Sequence, residues 1–228
     1  MLALGIETSG RPGSVALCRD SVCLAALPLD HGDLRHAQAL PPLVASLLAD
    51  NALATDDLDL IAVSQGPGSF TGLRVGFVFA KTLAWATGCR LVAIDTFEAI
   101  ASTVDSHADS VWIAADAQRG ELFVRPYAKR SGQRWEATQE HMIVSTAHWC
   151  SERSPGEVVV TASPELLDDH LAGTIACEPA ATSITRLGQL AAQADQGVAP
   201  AQLAPLYLRQ SAAQENRQAR TDSLGQKT

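Results

Sequence analysis

Apolar residues along this chain fall into short continuous runs separated by turn-forming residues, with a few longer stretches spaced at three and four. Leu2–Ile6, Ser14–Cys18 and Val22–Leu29 are three such runs, joined through Glu7-Thr8-Ser9-Gly10-Arg11-Pro12-Gly13 and Arg19-Asp20, and they predict an opening meander of three strands. Leu40, Leu43, Val44, Leu47 and Leu48 predict a helix from near His36 to Asn51 with one apolar face; Pro41 and Pro42 fit only in its first turn. The strand Leu60–Ser64 then leads through Gln65-Gly66-Pro67-Gly68-Ser69 into the most apolar helix of the sequence, which stops at Gly88. A strand at Arg90–Ile94 and a short helix begun by Asp95, with Glu98 in capping-box spacing, complete one α/β lobe near Thr103.

A polar break at 104–109 precedes a second series: Val111–Ala115, the turn Asp116-Ala117-Gln118-Arg119-Gly120, Glu121–Pro126, and a turn at Ser131-Gly132. Downstream, Val158–Ala162 and Thr174–Cys177 read as strands and Glu165–Leu171 as a helix. Thr182 or Ser183 can cap a further helix whose Ile184, Leu187, Leu190 and Ala194 form one stripe, stopped by Gly197. Pro205–Arg209 is the last stretch with anchoring side chains, and 211–228 reads as a flexible polar tail. An acidic residue directly after the first strand of each half, followed by a turn and another strand, hints at two lobes on one plan. The expected division is an N-terminal lobe over 1–104, a C-terminal lobe over 105–210 and the tail.

The stretch Gln65–Gly88 organises the first lobe. Gly72, Gly76, Ala80 and Ala84 recur every fourth residue and form a row of small side chains that lets another backbone come close. At about 100° per residue, Val75, Phe79 and Leu83 fall on one side of that row and Leu73, Phe77 and Phe70 on the other, an apolar arc of roughly 200°. One core-facing helix needs only about half of that arc. Arg74, Lys81, Thr71 and Thr82 flank Val78 and Trp85 on the remainder. Such a helix is either buried in the middle of its own domain or also meets a partner protein.

Composition narrows the chemistry. At 228 residues and 46% hydrophobic the chain can bury a proper core. A net charge of -8 with no basic run argues against gripping a nucleic-acid backbone unaided. The five cysteines are scattered and contain no C-x-x-C pair, as expected of a reduced cytoplasmic chain without a disulfide frame or zinc site. No leader is apparent at Met1–Ile6, and no apolar run approaches the ~20 residues that span a membrane. None of the six histidines lies four residues from another, so no metal pair of the H-x-x-x-H kind is expected.

Taken together, G-I-E-T-S at the N-terminus, His36 opening a Leu-rich helix, Q-G-P-G-S-F-T-G-L-R-V-G, D-A-Q-R-G-E-L-F at Asp116–Phe123 and P-L-Y-L-R at Pro205–Arg209 resemble the TsaB (YeaZ) family. The resemblance runs from the first strand to Arg209. It implies an α/β protein with the two-lobe actin-like ATPase (ASKHA, ribonuclease H-like) fold, mixed sheets flanked by helices. It further implies a non-catalytic, activating subunit of tRNA N6-threonylcarbamoyladenosine synthesis, pairing with a TsaD-like catalytic subunit and a TsaE-like ATPase. A homodimer is expected when the partner is absent, tRNA is met only indirectly, and no cofactor is implied. The partner-binding residues expected on this basis are Leu40, Leu43, Leu47, Phe70, Leu73, Arg74, Gly76, Phe77, Val78, Ala80, Lys81, Ala84 and Trp85. In actin-like ATPases the first turn of the meander holds nucleotide phosphates; Glu7, Thr8 and Ser9 occupy that place here and with Asp116 are the expected vestigial nucleotide-binding set, while by themselves the three residues read as a solvated hairpin turn. Glu7 stands where the family usually has Asp, and Phe123 where Tyr is common. An alternative reading is an ATP-dependent phosphotransferase or hydrolase of the actin-like class, with Glu7, Thr8 and Asp116 at the mouth of an inter-lobe cleft. The loop Gly66–Gly72 precedes a helix N-terminus but lacks the Lys-Ser/Thr ending of a P-loop.

Overall fold

The opening meander forms as β1 (Leu2–Glu7), β2 (Gly13–Arg19) and β3 (Val22–Leu29) in a computed structural model that describes residues 1–29, 36–105, 107–130, 134–167, 171, 173–194 and 202–209. β4 (Leu60–Gly66) lies parallel to β1, and β5 (Arg90–Asp95) parallel to β4, giving a five-stranded mixed sheet in the order β3-β2-β1-β4-β5. β1 is buried along its whole length because its two faces carry apolar residues of different size. Leu2, Leu4 and Ile6 join Ile61 and Val63 in a core closed by α1 (His36–Asp50) and α2 (Phe70–Thr87). Ala3 and Ala62 lie on the opposite face with Ile184 and Ala192 of α5 (Ala181–Gln193). Small side chains there let α5 sit close: a Cβ added at Gly188 would stand 2.5 Å from that of Ala62.

That packing places α5, drawn from the 105–210 stretch, on the first sheet. Its start is Ala181, and neither Thr182 nor Ser183 caps it. The Ala181 amide is satisfied from across the sheet instead, donating to the Ser14 hydroxyl at 3.0 Å.

β6 (Ser110–Gln118) and β7 (Glu121–Lys129) form a hairpin whose two loop residues, Arg119 and Gly120, take φ of 57° and 74°. Positive φ at both positions is what a tight hairpin matched to strand twist requires. β8 (Trp135–Ala137) and β9 (Met142–Ser145) pair with β7, while β10 (Val159–Thr161) and β11 (Thr174–Ala176) extend the other edge in parallel. The short helix α4 (Thr146–Ser151) seats Trp149 and Cys150 against Leu122, Val124 and Val159. Where a helix was expected over Glu165–Leu171, a 3-10 turn spans Pro164–Leu166. The expected turn at Ser131-Gly132, the stop at Gly197 and the tail from 211 lie outside the described residues.

The two sheets meet at α3 (Thr96–Ala101), whose Phe97 and Ile100 enter the second core beside Val111, Ile113 and Tyr127. Asp95 caps this helix as its spacing predicted, Oδ1 accepting from the amides of Phe97 at 2.8 Å and Glu98 at 3.2 Å. Its Oδ2 accepts from Arg125 Nη1 of β7 at 2.8 Å, so one carboxylate ties both lobes. His141 Nε2 lies 3.1 Å from the same oxygen but outside hydrogen-bond geometry. No helix among the described residues is long and apolar enough to cross a membrane.

Candidate functional site

Three sequence features converge around the N-terminal end of α2: the Glu7-Thr8-Ser9 turn, the loop Gly66–Ser69, and the segment 202–209. Ser69 caps α2, its hydroxyl accepting from the Gly72 amide at 3.2 Å, and Gly88 closes it in the left-handed conformation. The small-residue row serves a close approach inside the chain. A Cβ at Gly72 would overlap the Thr8 carbonyl oxygen, one at Gly76 the Thr8 hydroxyl, and one at Gly68 would stand 2.6 Å from the Ser9 carbonyl oxygen. The Ser69 amide donates to that same Ser9 oxygen at 2.8 Å.

The turn is consequently sealed. Glu7 and Thr8 are 0% exposed and Ser9 6%. The Ser9 hydroxyl donates to Glu7 Oε1 at 2.5 Å, the Ser9 amide donates to the same oxygen, and the Thr8 amide donates to the Ser64 hydroxyl at 3.2 Å. Glu7 Oε2 and Thr8 Oγ1 are buried without a protein partner. Burial pushes the Glu7 carboxyl above its ordinary pKa, against the opposing effect of the Ser9 bonds. A carboxyl so placed is held toward its neutral form and does not face solvent where a phosphate or magnesium ion would arrive.

Asp116 behaves differently. It is exposed, its carboxylate accepting from the Gln118 amide at 2.6 Å, and it lines a cleft of about 380 Å³ with Arg11, Ser69, Arg119, Tyr207 and Arg209. The vestigial set thus divides: Asp116 opens onto this cleft, while Glu7, Thr8 and Ser9 are not among the residues that line it. The third wall is the P-L-Y-L-R segment. Leu206 donates to the Gln65 carbonyl at 2.8 Å, and Arg209 donates to the Ala117 carbonyl at 2.7 Å while pairing with Glu121. Arg74 Nε reaches the Tyr207 hydroxyl at 3.2 Å and lies 4.0 Å over the Phe70 ring, which packs on Tyr207. Among the described residues, no group of three or more His, Cys, Asp or Glu side chains is placed to hold a metal ion.

The residues expected to meet a partner divide as well. Leu40, Leu43, Leu47, Leu73, Phe77, Ala80 and Ala84 are at most 8% exposed, and Gly76 is buried. They form the chain's own core, because α1, the first sheet and the 202–209 segment cover the broad apolar arc from three sides. Phe70 and Lys81 are half-buried, and Arg74 is exposed. Val78 at 66% and Trp85 at 86% stand out in solvent, with the exposed Thr82 between them. The sequence placed these two on the narrow polar side of α2, marked Tyr207 only as part of an anchoring stretch and gave no sign of the Asp95–Arg125 pair.

Two mixed sheets with flanking helices, joined at α3, define a two-lobe protein of the actin-like ATPase class. Comparison with known proteins is specific. The family described as "TsaD: tRNA N6-adenosine threonylcarbamoyltransferase" matches residues 33–217. The "tRNA threonylcarbamoyladenosine biosynthesis protein TsaB" of Bacillus subtilis is 33% identical over 58% of this chain and 57% of its own length; the Escherichia coli protein of the same name is 28% identical over 72% and 71%. The solved structure "YeaZ from Pseudomonas aeruginosa" superposes with a TM-score of 0.75 at 25% identity, covering 91% of this chain and 99% of that one. The chain belongs to the TsaD family, among its TsaB (YeaZ) members. The match spans little more than half the length of the Bacillus subtilis relative.

Proposed function

We propose that this chain is a non-catalytic subunit in the synthesis of N6-threonylcarbamoyladenosine on tRNA, and that it pairs with a TsaD-type catalytic subunit through the outward face of α2. The observation that carries this reading is Trp85 and Val78, 86% and 66% exposed, seven residues apart on the outward stripe of α2, where they are its exposed large apolar side chains. Covering a large apolar side chain is worth about 1.5–3 kcal/mol, and exposed Arg74 and half-buried Lys81 supply a polar margin for such a contact.

The sealed Glu7-Thr8-Ser9 turn supports a partner role over the alternative, an ATP-dependent phosphotransferase of the actin-like class, which needs that turn open to phosphates. The reading extends to a TsaE-type ATPase as a further member, to self-association through the same face when the TsaD-type subunit is absent, to tRNA contacted through the complex, and to the cytoplasm.

The test is pairing of the Val78→Asp and Trp85→Ala variants with the TsaD-type subunit of the same organism, read by light scattering after size exclusion. Each should weaken the heterodimer about 10- to 100-fold with an unchanged circular dichroism spectrum. A folded double variant that pairs like the parent overturns the interface. Titration of the chain alone with ATP and magnesium tests the rest: micromolar binding with turnover overturns the non-catalytic role.

A further inference from the structure

β2 and β3 pair residue by residue from Gly13 opposite Leu29 to Leu17 opposite Ala25, and that register continued would set Cys18 against Leu24. The register shifts at this point instead, Leu24 is left over, and Cys18 stands directly opposite Cys23. A bulge of this kind re-aims a side chain. Opposed residues of an antiparallel pair share a face, with Cα atoms about 4.5–5.5 Å apart, inside the ~4.4–6.8 Å span that a disulfide bridges. Both cysteines are free, and the Cys23 thiol donates to the Ala25 carbonyl at 3.6 Å. They differ in access. Cys18 is 6% exposed above Ala16 and Ala181 on the α5 side of the sheet, whereas Cys23 is exposed on the outermost strand.

We propose that Cys18 and Cys23 form an oxidisable cross-strand dithiol, a modification site that takes small-molecule disulfides of the glutathione type as its oxidant. The exposed Cys23 reacts first: its thiolate attacks one sulfur of the small disulfide, a mixed disulfide forms, and one small thiol leaves carrying a proton. Cys18, deprotonated to solvent, then attacks the Cys23 sulfur; the mixed S–S bond breaks and the second small thiol leaves. Two protein S–H groups and one small disulfide become one protein S–S bond and two small thiols, a two-electron exchange. Exposure of Cys23 sets the order of attack, and burial, and next the charge of a neighbouring Cys23 thiolate, push the Cys18 thiol up to about 12, in the same sense. Once Cys23 is in a mixed disulfide its charge is gone, and that part of the obstacle to Cys18 goes with it. No other pair of the five cysteines is set on opposed residues of neighbouring strands among the described residues.

The experiment equilibrates the full-length chain with mixtures of oxidised and reduced glutathione, blocks remaining thiols by alkylation, and maps tryptic peptides by mass spectrometry. Cleavage after Arg19 and Arg35 separates Met1–Arg19, with Cys18, from Asp20–Arg35, with Cys23. The expected product is these two peptides cross-linked, reversed by dithiothreitol and absent from Cys23→Ser. Cys18→Ala should instead accumulate a glutathione adduct on Cys23. A wild-type chain that stops at the Cys23 adduct, that links either cysteine elsewhere, or that does not react overturns the proposal. Should Cys18→Ala fail to fold, the wild type against Cys23→Ser still decides, since Cys23 is exposed and its substitution leaves the core intact.

Discussion

Alanine at Gly76 and at Gly72 should give opposite responses to the same second substitution. In an exposed helix, replacing glycine with alanine stabilises by roughly 0.5–1 kcal/mol. Here each added Cβ enters occupied space. At Gly76 the offending atom is the Thr8 hydroxyl, while the Thr8 Cβ and Cγ2 would lie at ordinary distances of 3.4 and 3.5 Å. At Gly72 it is the Thr8 main-chain carbonyl, which no side-chain rotation moves. Forcing a methyl group into a packed interior costs about 1–3 kcal/mol, so both variants should be less stable than the parent despite the helical gain, melting lower by ~2–4 °C per kcal/mol. Thr8→Ala removes the hydroxyl and leaves the carbonyl. Measured by urea denaturation in a double-mutant cycle, it should therefore rescue Gly76→Ala, with a coupling of about 0.5–3 kcal/mol, and leave Gly72→Ala unrescued. If both alanines stabilise the chain, or Thr8→Ala rescues both alike, α2 does not rest on Thr8. By the same geometry a leucine at Gly76 would overlap Thr8 and disrupt the lobe.

Glu7 has a raised pKa in the folded chain, so its contribution to stability is present at pH below the ordinary carboxylate range and is lost as pH rises through the folded value. Glu7→Gln should flatten that decline, and the two proteins should differ more in urea midpoint at pH 8 than at pH 5. At Asp95, the alanine variant loses both the α3 cap and the Arg125 pair, whereas Asp95→Asn retains an oxygen for the cap; thermal melts should show Asp95→Ala lower, by about 0.5–2 kcal/mol for the cap. Tyr207→Phe keeps the ring against Phe70 and drops one exposed hydrogen bond, so it should stay within about 0.5 kcal/mol of the parent, while Tyr207→Ala should release the 202–209 segment to faster hydrogen exchange.

Periodicity located β1 to β5, α1, α2 and the Asp95 cap because each has a run or spacing long enough to register. It missed β9 and α4, which are too short to show a period and are not preceded by a glycine as β10 and β11 are by Gly156 and Gly173. The destination of α5 was not legible either. Its stripe shows that one face is buried, but the surface it meets is set by Ala3, Gly5 and Ala62, small residues that read simply as apolar strand positions. For the same reason the row Gly72, Gly76, Ala80 and Ala84 announced a close approach without saying to what. Exposure of Val78 and Trp85 was visible as a break in the arc; burial of Glu7, Thr8 and Ser9 was not, because a short polar turn looks the same whether water or a helix covers it.

The closed turn and the outward tryptophan follow from one contact. Nine residues at about 100° each leave Trp85 half a turn from Gly76. Seating the glycine row against Thr8 therefore fixes the opposite stripe, with Val78 and Trp85, away from the sheet. A larger residue in the row would meet Thr8 and disturb the closed turn and the outward stripe together.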